Sequence, residues 1–249
     1  MRINIEESKI DRAFARASID LGQYGNIQGK GALVEKLIVY LARHGSTKDW
    51  KKRIYQVADT PLSGLGLMQA SKLAQHFKNI PVDVIISSRM VRAEQTARIV
   101  AHAKEKKVEL WDGIHEVVRP TTIWGRSKHE PEVAAIMQAV YAAMDTDARV
   151  LDEETYSEFR QRGISFVRRL ENLRVRVAFA VSHGHIIRMG TAVMQYGDNV
   201  TAAQFREVEK KALENTSITT CVFDRKSKEW KIENWEVLDH FQREFDPFA

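Results

Sequence analysis

The sequence predicts an α/β fold, a three-layer sandwich in which a mostly parallel central sheet is flanked by helices and carries one antiparallel edge strand. Three observations predict it. Short, predominantly apolar runs recur at Leu37 to Ala42, Val82 to Ser88 and Val177 to Val181, each of the length and composition that a strand buried on both faces requires. Helical patterns follow these runs, the alternation that crossover connections impose on a parallel sheet. Near the end, Ser217 to Phe223 and Trp230 to Trp235 are separated only by Asp224 to Glu229, a hairpin spacing that adds antiparallel pairing.

Taken in order, residues 1–36 form an N-terminal extension and residues 37–249 a single domain. The extension carries mixed charge at Arg2, Glu6, Glu7, Lys9, Asp11, Arg12 and Arg16. Ser8 to Ile19 fits a short amphipathic helix, and Gly22 to Gly31 reads as a loop. No apolar stretch marks a secretory signal, and the acidic residues disfavour a mitochondrial presequence. Two readings stand for it: a surface segment on the domain, or a contact for a partner or a second subunit, which would make a homodimer.

The first strand ends in Arg43, His44 and Gly45, and Ser46 to Ala58 is polar and basic. Pro61 stops any preceding helix, and Ser63 can cap the next, whose apolar face is Leu67, Ala70, Leu73, Ala74 and Phe77. Arg89 to Ala103 is helical, with Arg89 and Arg92 in its first turn. Val108 to Trp111 is a third strand, and Pro131 opens a helix to about Met144. Glu154 to Leu173 is helical, with Phe159, Ile164, Val167 and Leu170 near one face. Val175 to Val181 is the strand that leads to His183, Gly184 and a further helix. Ala202 to Leu213 is the last helix, and the aromatic-rich tail Val237 to Ala249 packs across the domain.

Ligands of an open α/β sheet gather at the carboxyl ends of its strands. Three such ends deliver Arg43 with His44, Arg92, and His183, which together make a candidate anion site. Basic groups in a helix's first turn oppose its macrodipole at a cost of about 0.3 to 1 kcal/mol. A bound anion would reverse that sign, because it meets both the free N–H groups and the guanidinium fork.

Arg43-His44-Gly45, Asp59-Thr60-Pro61-Leu62-Ser63 with Gly66, Ser87-Ser88 followed by Arg92-Ala93, and Ser182-His183-Gly184 occur in this order, and in it the chain resembles the histidine phosphatase superfamily, which also contains phosphoglycerate mutases. The resemblance implies a phosphatase with a covalent phosphohistidine intermediate. His44 would attack phosphorus, Arg43, Arg92 and His183 would hold the non-bridging oxygens, and Glu116 would protonate the leaving oxygen. Chemistry also asks for an acid of that kind, because an alkoxide leaves badly without a proton. Asp112 is the rival for this role and, lying nearer the strand, is otherwise a loop cap; Glu116 is favoured. Gln56 matches a family position beside the phosphate, and Gly45 and Gly184 complete the substrate-binding set. Asn215-Thr216-Ser217 resembles the family's turn after the second histidine, with a structural duty. Between Val117 and Glu130, Arg119, Trp124, Arg126 and Lys128 either contact the rest of the substrate or form a solvated lid.

Two departures favour phosphatase over mutase. Ser46-Thr47-Lys48-Asp49-Trp50-Lys51 stands where mutases carry a Glu and then Trp-Asn, and the long mutase insertion after the catalytic Glu is missing. The alternatives are mutase-type phosphoryl transfer and a weakly active binding or scaffold protein.

Composition narrows the partners. With 249 residues, 44% of them hydrophobic, the chain can bury a full core. A net charge of +5, from 38 basic and 33 acidic residues, suits a small phosphorylated substrate but lacks the dense basic stripe of a nucleic-acid binder. No apolar run reaches membrane-spanning length. Cys221 is the only cysteine, so no internal disulfide forms and a cytoplasmic location is expected. His183-Gly184-His185 invites a metal, yet two histidines without a nearby Cys or clear carboxylate do not make a site of three or four ligands. No metal and no cofactor are expected.

Overall fold

The computed structural model describes residues 35–241. The helix read at Ser8 to Ile19 and nearly all of the extension lie outside the described residues, as does most of the tail beyond Phe241. The strands are β1 (Lys36–Arg43), β2 (Val84–Ser88), β3 (Val108–Trp111), β4 (Val177–Ser182), β5 (Ile218–Asp224) and β6 (Glu229–Val237). They form one sheet in the order β3-β2-β4-β1-β5-β6. Pairings within β3-β2-β4-β1 are parallel, while β5 is antiparallel to both β1 and β6. The antiparallel pairing therefore occurs at the expected edge, but the strand running against the others is β5, one in from the edge. The helices are α1 (Lys48–Lys51), α2 (Gly64–Phe77), α3 (Val91–Ala103), α4 (Pro131–Ala143), α5 (Tyr156–Glu171), α6 (Gly184–Tyr196) and α7 (Ala202–Glu209).

The apolar run of β1 is explained by burial on both faces. Leu37, Val39 and Leu41 point into one core with Phe159 and Phe166 of α5, Ile186 of α6 and Phe205 of α7. Ile38, Tyr40 and Ala42 point into the other with Leu73 and Phe77 of α2 and Ala97 of α3. Successive strand residues alternate faces, so a strand covered on both sides must be apolar at every position.

The helix ends follow local chemistry. Ser63 Oγ accepts from Gly66 N at 3.1 Å and caps α2. Thr155 and Glu158 form a reciprocal capping box that starts α5 two residues later than the sequence period indicates. Leu67 was assigned to the apolar face of α2, yet it is 46% exposed; Gln69 is buried there instead. Arg89 precedes α3 rather than standing in its first turn, and α7 stops at Glu209 rather than Leu213.

The chain leaves β1 toward α2 on one face of the sheet and leaves the adjacent β4 toward α6 on the other. Diverging connections leave a crevice at the carboxyl ends of the two strands. Register places Arg43 opposite Ser182 there, with Ser87 of β2 opposite Val181.

Candidate active site

The loop after β1 is fixed by backbone bonds from four directions. His44 N donates to Ser182 O at 3.0 Å, Gly45 N to Thr96 Oγ1 at 3.0 Å and Ser46 N to Gln69 Oε1 at 2.8 Å, while Asn215 Nδ2 donates to His44 O at 2.8 Å. This explains the buried Gln69 on an apolar face. It also supplies the structural duty expected of the Asn215 turn, where Thr216 takes φ 61° and its N–H donates to Arg43 O at 2.9 Å. Gly45, which the resemblance places in the substrate-binding set, donates its N–H to Thr96 and does not line the cavity, and its lack of a side chain lets the chain pass. A Cβ on Gly45 would lie 2.6 Å from Gly66 O, and one on Gly66 would lie 2.0 Å from Ser46 O.

Gly66→Ala should therefore push the His44 loop outward. Overpacking of this kind typically costs about 1 to 3 kcal/mol. A lowered thermal midpoint together with lost turnover is the expected result; an unchanged midpoint would show that the loop yields freely.

The tautomer of His44 is determined by its neighbours. Nδ1 is 2.8 Å from Gly45 O, an atom that can only accept, so Nδ1 carries the hydrogen. Nε2 receives the Arg92 Nε–H at 3.2 Å and therefore holds the lone pair. Burial, with the charges of Arg92 and Arg43, holds the His44 pKa well below the usual imidazole range. The ring is a neutral base with its lone pair directed at Arg92.

Arg92 is buried in the first turn of α3, where its Nη1 donates to Val57 O at 2.9 Å. Burial lowers its pKa to about 10, which leaves it cationic at neutral pH. Arg43 is held by donation from Nη1 to Leu213 O at 2.7 Å. His183 is fully buried at the start of α6, its ring centroid 5.1 Å from that of His44. Its Nε2 meets Ser88 Oγ at 2.9 Å, and its Nδ1 has no hydrogen-bond partner. A buried polar atom without a partner is costly, and a phosphoryl oxygen could supply the missing bond.

Glu116 stands on the loop after β3, which is tied down by Ser182 Oγ donating to Ile114 O at 2.6 Å and Arg162 Nη1 donating to His115 O at 2.6 Å. Glu116 Oε1 accepts from Val117 N at 2.9 Å and His185 N at 3.0 Å. Burial alone would raise its pKa, but the His185 imidazole, His183 and the Val117 N–H hold it well below the usual carboxylate range. Asp112 lies elsewhere: it is exposed and paired with Arg89 at 2.6 Å.

These groups meet at a cavity of about 410 Å³. Arg43, His44, Gln56, Arg92, Glu116 and Gly184 line it, with His183 buried behind. Arg119, Trp124 and Lys128 line its outer part, whereas Arg126 is turned away onto Glu130 and Glu132 at 2.8 and 2.7 Å. Sequence reasoning missed Arg53, Tyr55, His185 and Arg188 in the wall. Arg188 could have been found, since it stands one helical turn after Gly184 on the same face. Arg53 and Tyr55 carried no signal. They arrive through long-range backbone bonds from Lys128 N to Arg53 O at 2.8 Å and from Tyr55 N to Arg126 O at 3.0 Å. The His185 side chain faces Glu116 and Glu209. Among the described residues, no three His, Cys, Asp or Glu side chains are grouped to hold a metal, and no helix is long and apolar enough to cross a membrane.

The buried histidines give a pH dependence with a definite sign. Burial keeps His44, His183 and His240 neutral in the fold, the last with its pKa pushed down to about 3. In the unfolded chain each protonates near about pH 6.5. Below that value the unfolded state binds protons that the fold refuses, so stability is full above about pH 6.5 and is lost as the pH falls. For His240 the window extends down to about 3. Urea midpoints should drop between about pH 7.5 and about pH 4.5, less steeply in His240→Gln; equal slopes would contradict this account.

The family described as the Histidine phosphatase superfamily (branch 1) matches residues 39–237 of the chain. Among solved structures, a phosphoserine phosphatase mutant from Entamoeba histolytica bound to phosphoserine aligns with a TM-score of 0.67 at 22% identity, covering 83% of this chain and all of that one. A mycobacterial glucosyl-3-phosphoglycerate phosphatase aligns at 0.67 and 21% identity, covering 81% and 99%. A putative alpha-ribazole-5'-P phosphatase from Escherichia coli aligns at 0.68 and 21%, covering 79% and 94%. At such identities the likeness shows the fold. A probable phosphoglycerate mutase from Yersinia pestis is 45% identical over 69 residues, which is 27% of this chain and 32% of the relative; the chain thus matches about a third of that relative's length.

Proposed function

The chain belongs to the histidine phosphatase superfamily, and from that premise we propose that it is a phosphomonoester hydrolase that works through a phosphohistidine on His44, needs no metal and acts on a small phosphorylated metabolite. One observation carries the reading: His44, whose Nε2 accepts from Arg92 Nε, lines the cavity with Arg43 and Arg92, and its ring centroid is 5.1 Å from that of His183, whose buried Nδ1 has no hydrogen-bond partner among the described residues. A phosphoryl group seated there would give Arg92 and Arg43 its non-bridging oxygens, give His183 its missing bond and present phosphorus to Nε2. The P–O bond to the leaving group breaks as N–P forms, and Glu116, protonated once a dianion sits beside it, delivers its proton to the leaving oxygen. In the second step the Glu116 carboxylate takes a proton from water as that water attacks the phosphohistidine. Phosphate leaves, and His44 and Glu116 return to their starting states. Turnover of p-nitrophenyl phosphate in excess EDTA, with an acid-labile and base-stable phosphoenzyme, is the expected result. A requirement for added divalent metal would overturn it.

Phosphatase remains favoured over mutase by the sequence departures after His44 and by the absence of the long insertion after Glu116. The cavity wall also bears on substrate. Arg53, Arg119, Lys128 and Arg188 line it in addition to Arg43 and Arg92, against Glu116 as the one carboxylate in the wall among the described residues. Burial, with the nearby charges of Arg119, Arg43 and Arg53, lowers the Lys128 pKa, so the cations stand close enough to repel one another. A substrate with a second anionic group would relieve this. Phosphoserine and 3-phosphoglycerate, which solved relatives hold, should show KM values about tenfold below those of phosphoethanolamine and glycerol 3-phosphate, the worth of roughly 1.4 kcal/mol. Lys128→Met should raise KM for the acids more than for p-nitrophenyl phosphate. Equal KM values across the panel would argue against the second anion.

A further inference from the structure

We propose that His185 is a positioning residue for Glu116: it holds Oε1 so that Oε2 alone faces the leaving group, and Arg119 and Glu209 in turn hold His185. The inference rests on reading Glu116 as the proton donor. Oε1 accepts from the backbone N–H groups of Val117 and His185 and stands 3.4 Å from His185 Nδ1, an ion-pair contact in which the buried Nδ1 makes no hydrogen bond. No hydrogen bond reaches Oε2 among the described residues, and it lies toward Gly184, where a built Cβ would stand 3.1 Å from Arg188 Nη1, 3.7 Å from Oε2 and 3.8 Å from Arg43 Nε. The oxygen without a hydrogen bond is therefore the one on the side of Arg43 and Arg188. A carboxyl whose two oxygens are inequivalent delivers its proton in one direction. Without that constraint, rotation of the group would divide the proton between a productive and an unproductive oxygen.

The far side of the ring determines what the near side offers. His185 Nε2 lies 3.3 Å from Arg119 Nη2 and 3.3 Å from Glu209 Oε1. Arg119 can only donate, so a neutral ring bonded to it has its lone pair at Nε2 and its hydrogen at Nδ1. Glu209 accepts, so a bond to it puts a hydrogen on Nε2. A neutral ring in that state would turn an Nδ1 lone pair onto Glu116 Oε1, and only the imidazolium avoids this clash. Nδ1 thus carries a hydrogen in both acceptable states. Arg119 is itself 3.5 Å from Glu153, a buried carboxyl whose pKa burial pushes up to about 7. Arg188, one turn further along α6, completes the charged groups around the ring, beside Glu116, Arg119 and Glu209.

The test compares an alkyl phosphate, glycerol 3-phosphate, with p-nitrophenyl phosphate, whose leaving group hardly needs a proton. In His185→Ala, kcat/KM on the alkyl phosphate should fall by about 10- to 100-fold, the usual cost of losing a residue that orients a catalytic group. The fall on p-nitrophenyl phosphate should be much smaller. His185→Asn, which keeps an N–H near the place of Nδ1, should recover most of the loss. A purely structural role would lower both substrates alike, together with the thermal midpoint, and would overturn the inference. So would the absence of any Asn rescue. Glu116→Gln is measured in parallel: if it shows the leaving-group dependence and His185→Ala does not, the positioning role alone falls; if Glu116→Gln shows none, the reading of Glu116 as acid falls first.

Discussion

His44→Ala should abolish the phosphoenzyme and reduce turnover by about 10⁴- to 10⁶-fold, the scale at which loss of a nucleophile is felt in other covalent enzymes. The physical reason lies in the ring's surroundings. Gly45 O fixes the hydrogen on Nδ1, and burial beside two guanidinium groups keeps Nε2 unprotonated, so His44 would act as a nucleophile without a separate base. The fold should survive, since the backbone of residue 44 is bonded to Ser182 and Asn215 independently of its side chain. The anion cradle of Arg43, Arg92 and His183 stays in the variant. Phosphate should therefore still bind, and free imidazole should restore part of the turnover by occupying the vacated space. Trapping with a labelled substrate at high pH, where phosphohistidine is stable, reads the result directly. A phosphoenzyme that persists in His44→Ala would assign the nucleophile to another residue.

Glu116→Gln should show a loss that depends on the leaving group. General acid catalysis is typically worth about 10² to 10⁴-fold, and an alkyl alkoxide needs all of it. Nitrophenolate leaves readily as an anion. The variant should accordingly lose about 10² to 10⁴-fold on glycerol 3-phosphate and far less on p-nitrophenyl phosphate in the first step. Because the same carboxylate would take a proton from water in the proposed second step, the phosphohistidine should persist longer, and a burst of nitrophenol should outrun phosphate. Asp112→Asn serves as the control. Asp112 is exposed and paired with Arg89, so its replacement should touch both substrates alike and only slightly. Leaving-group dependence in Asp112→Asn, with none in Glu116→Gln, would move the acid to the other side chain while leaving the phosphoryl cradle intact.

The features legible in the amino-acid sequence follow from local rules. A strand buried on both faces must be apolar throughout, so β1, β2 and β4 could be read from composition, and the residues at their carboxyl ends, Arg43, His44 and His183, fell at the ligand-binding edge whatever the details of packing. Ser63 and Pro61 marked the start of α2 by capping chemistry, and Arg92 was singled out by the Ser-Ser-x-x-x-Arg-Ala order it shares with the family, beside the first-turn cost of a cation. Local pattern failed where a position depends on a distant segment. Gln69 breaks the apolar face of α2 because Ser46 N, in another part of the chain, needs an acceptor. Gly45 and Gly66 are small because two loops cross there. Arg126 and Lys128 stand two residues apart in one basic loop, yet only Lys128 faces the cavity, because the bridge between Ile54 and Ser127 sets which way that loop turns. His185 shares a tripeptide with His183 but faces Glu116 and Glu209 while His183 meets Ser88, since the two rings diverge at the start of α6 and α7 brings Glu209 to the second. Tertiary structure alone decided these, because hydrogen bonds and close approaches between segments far apart in sequence leave no periodicity or cap in either segment.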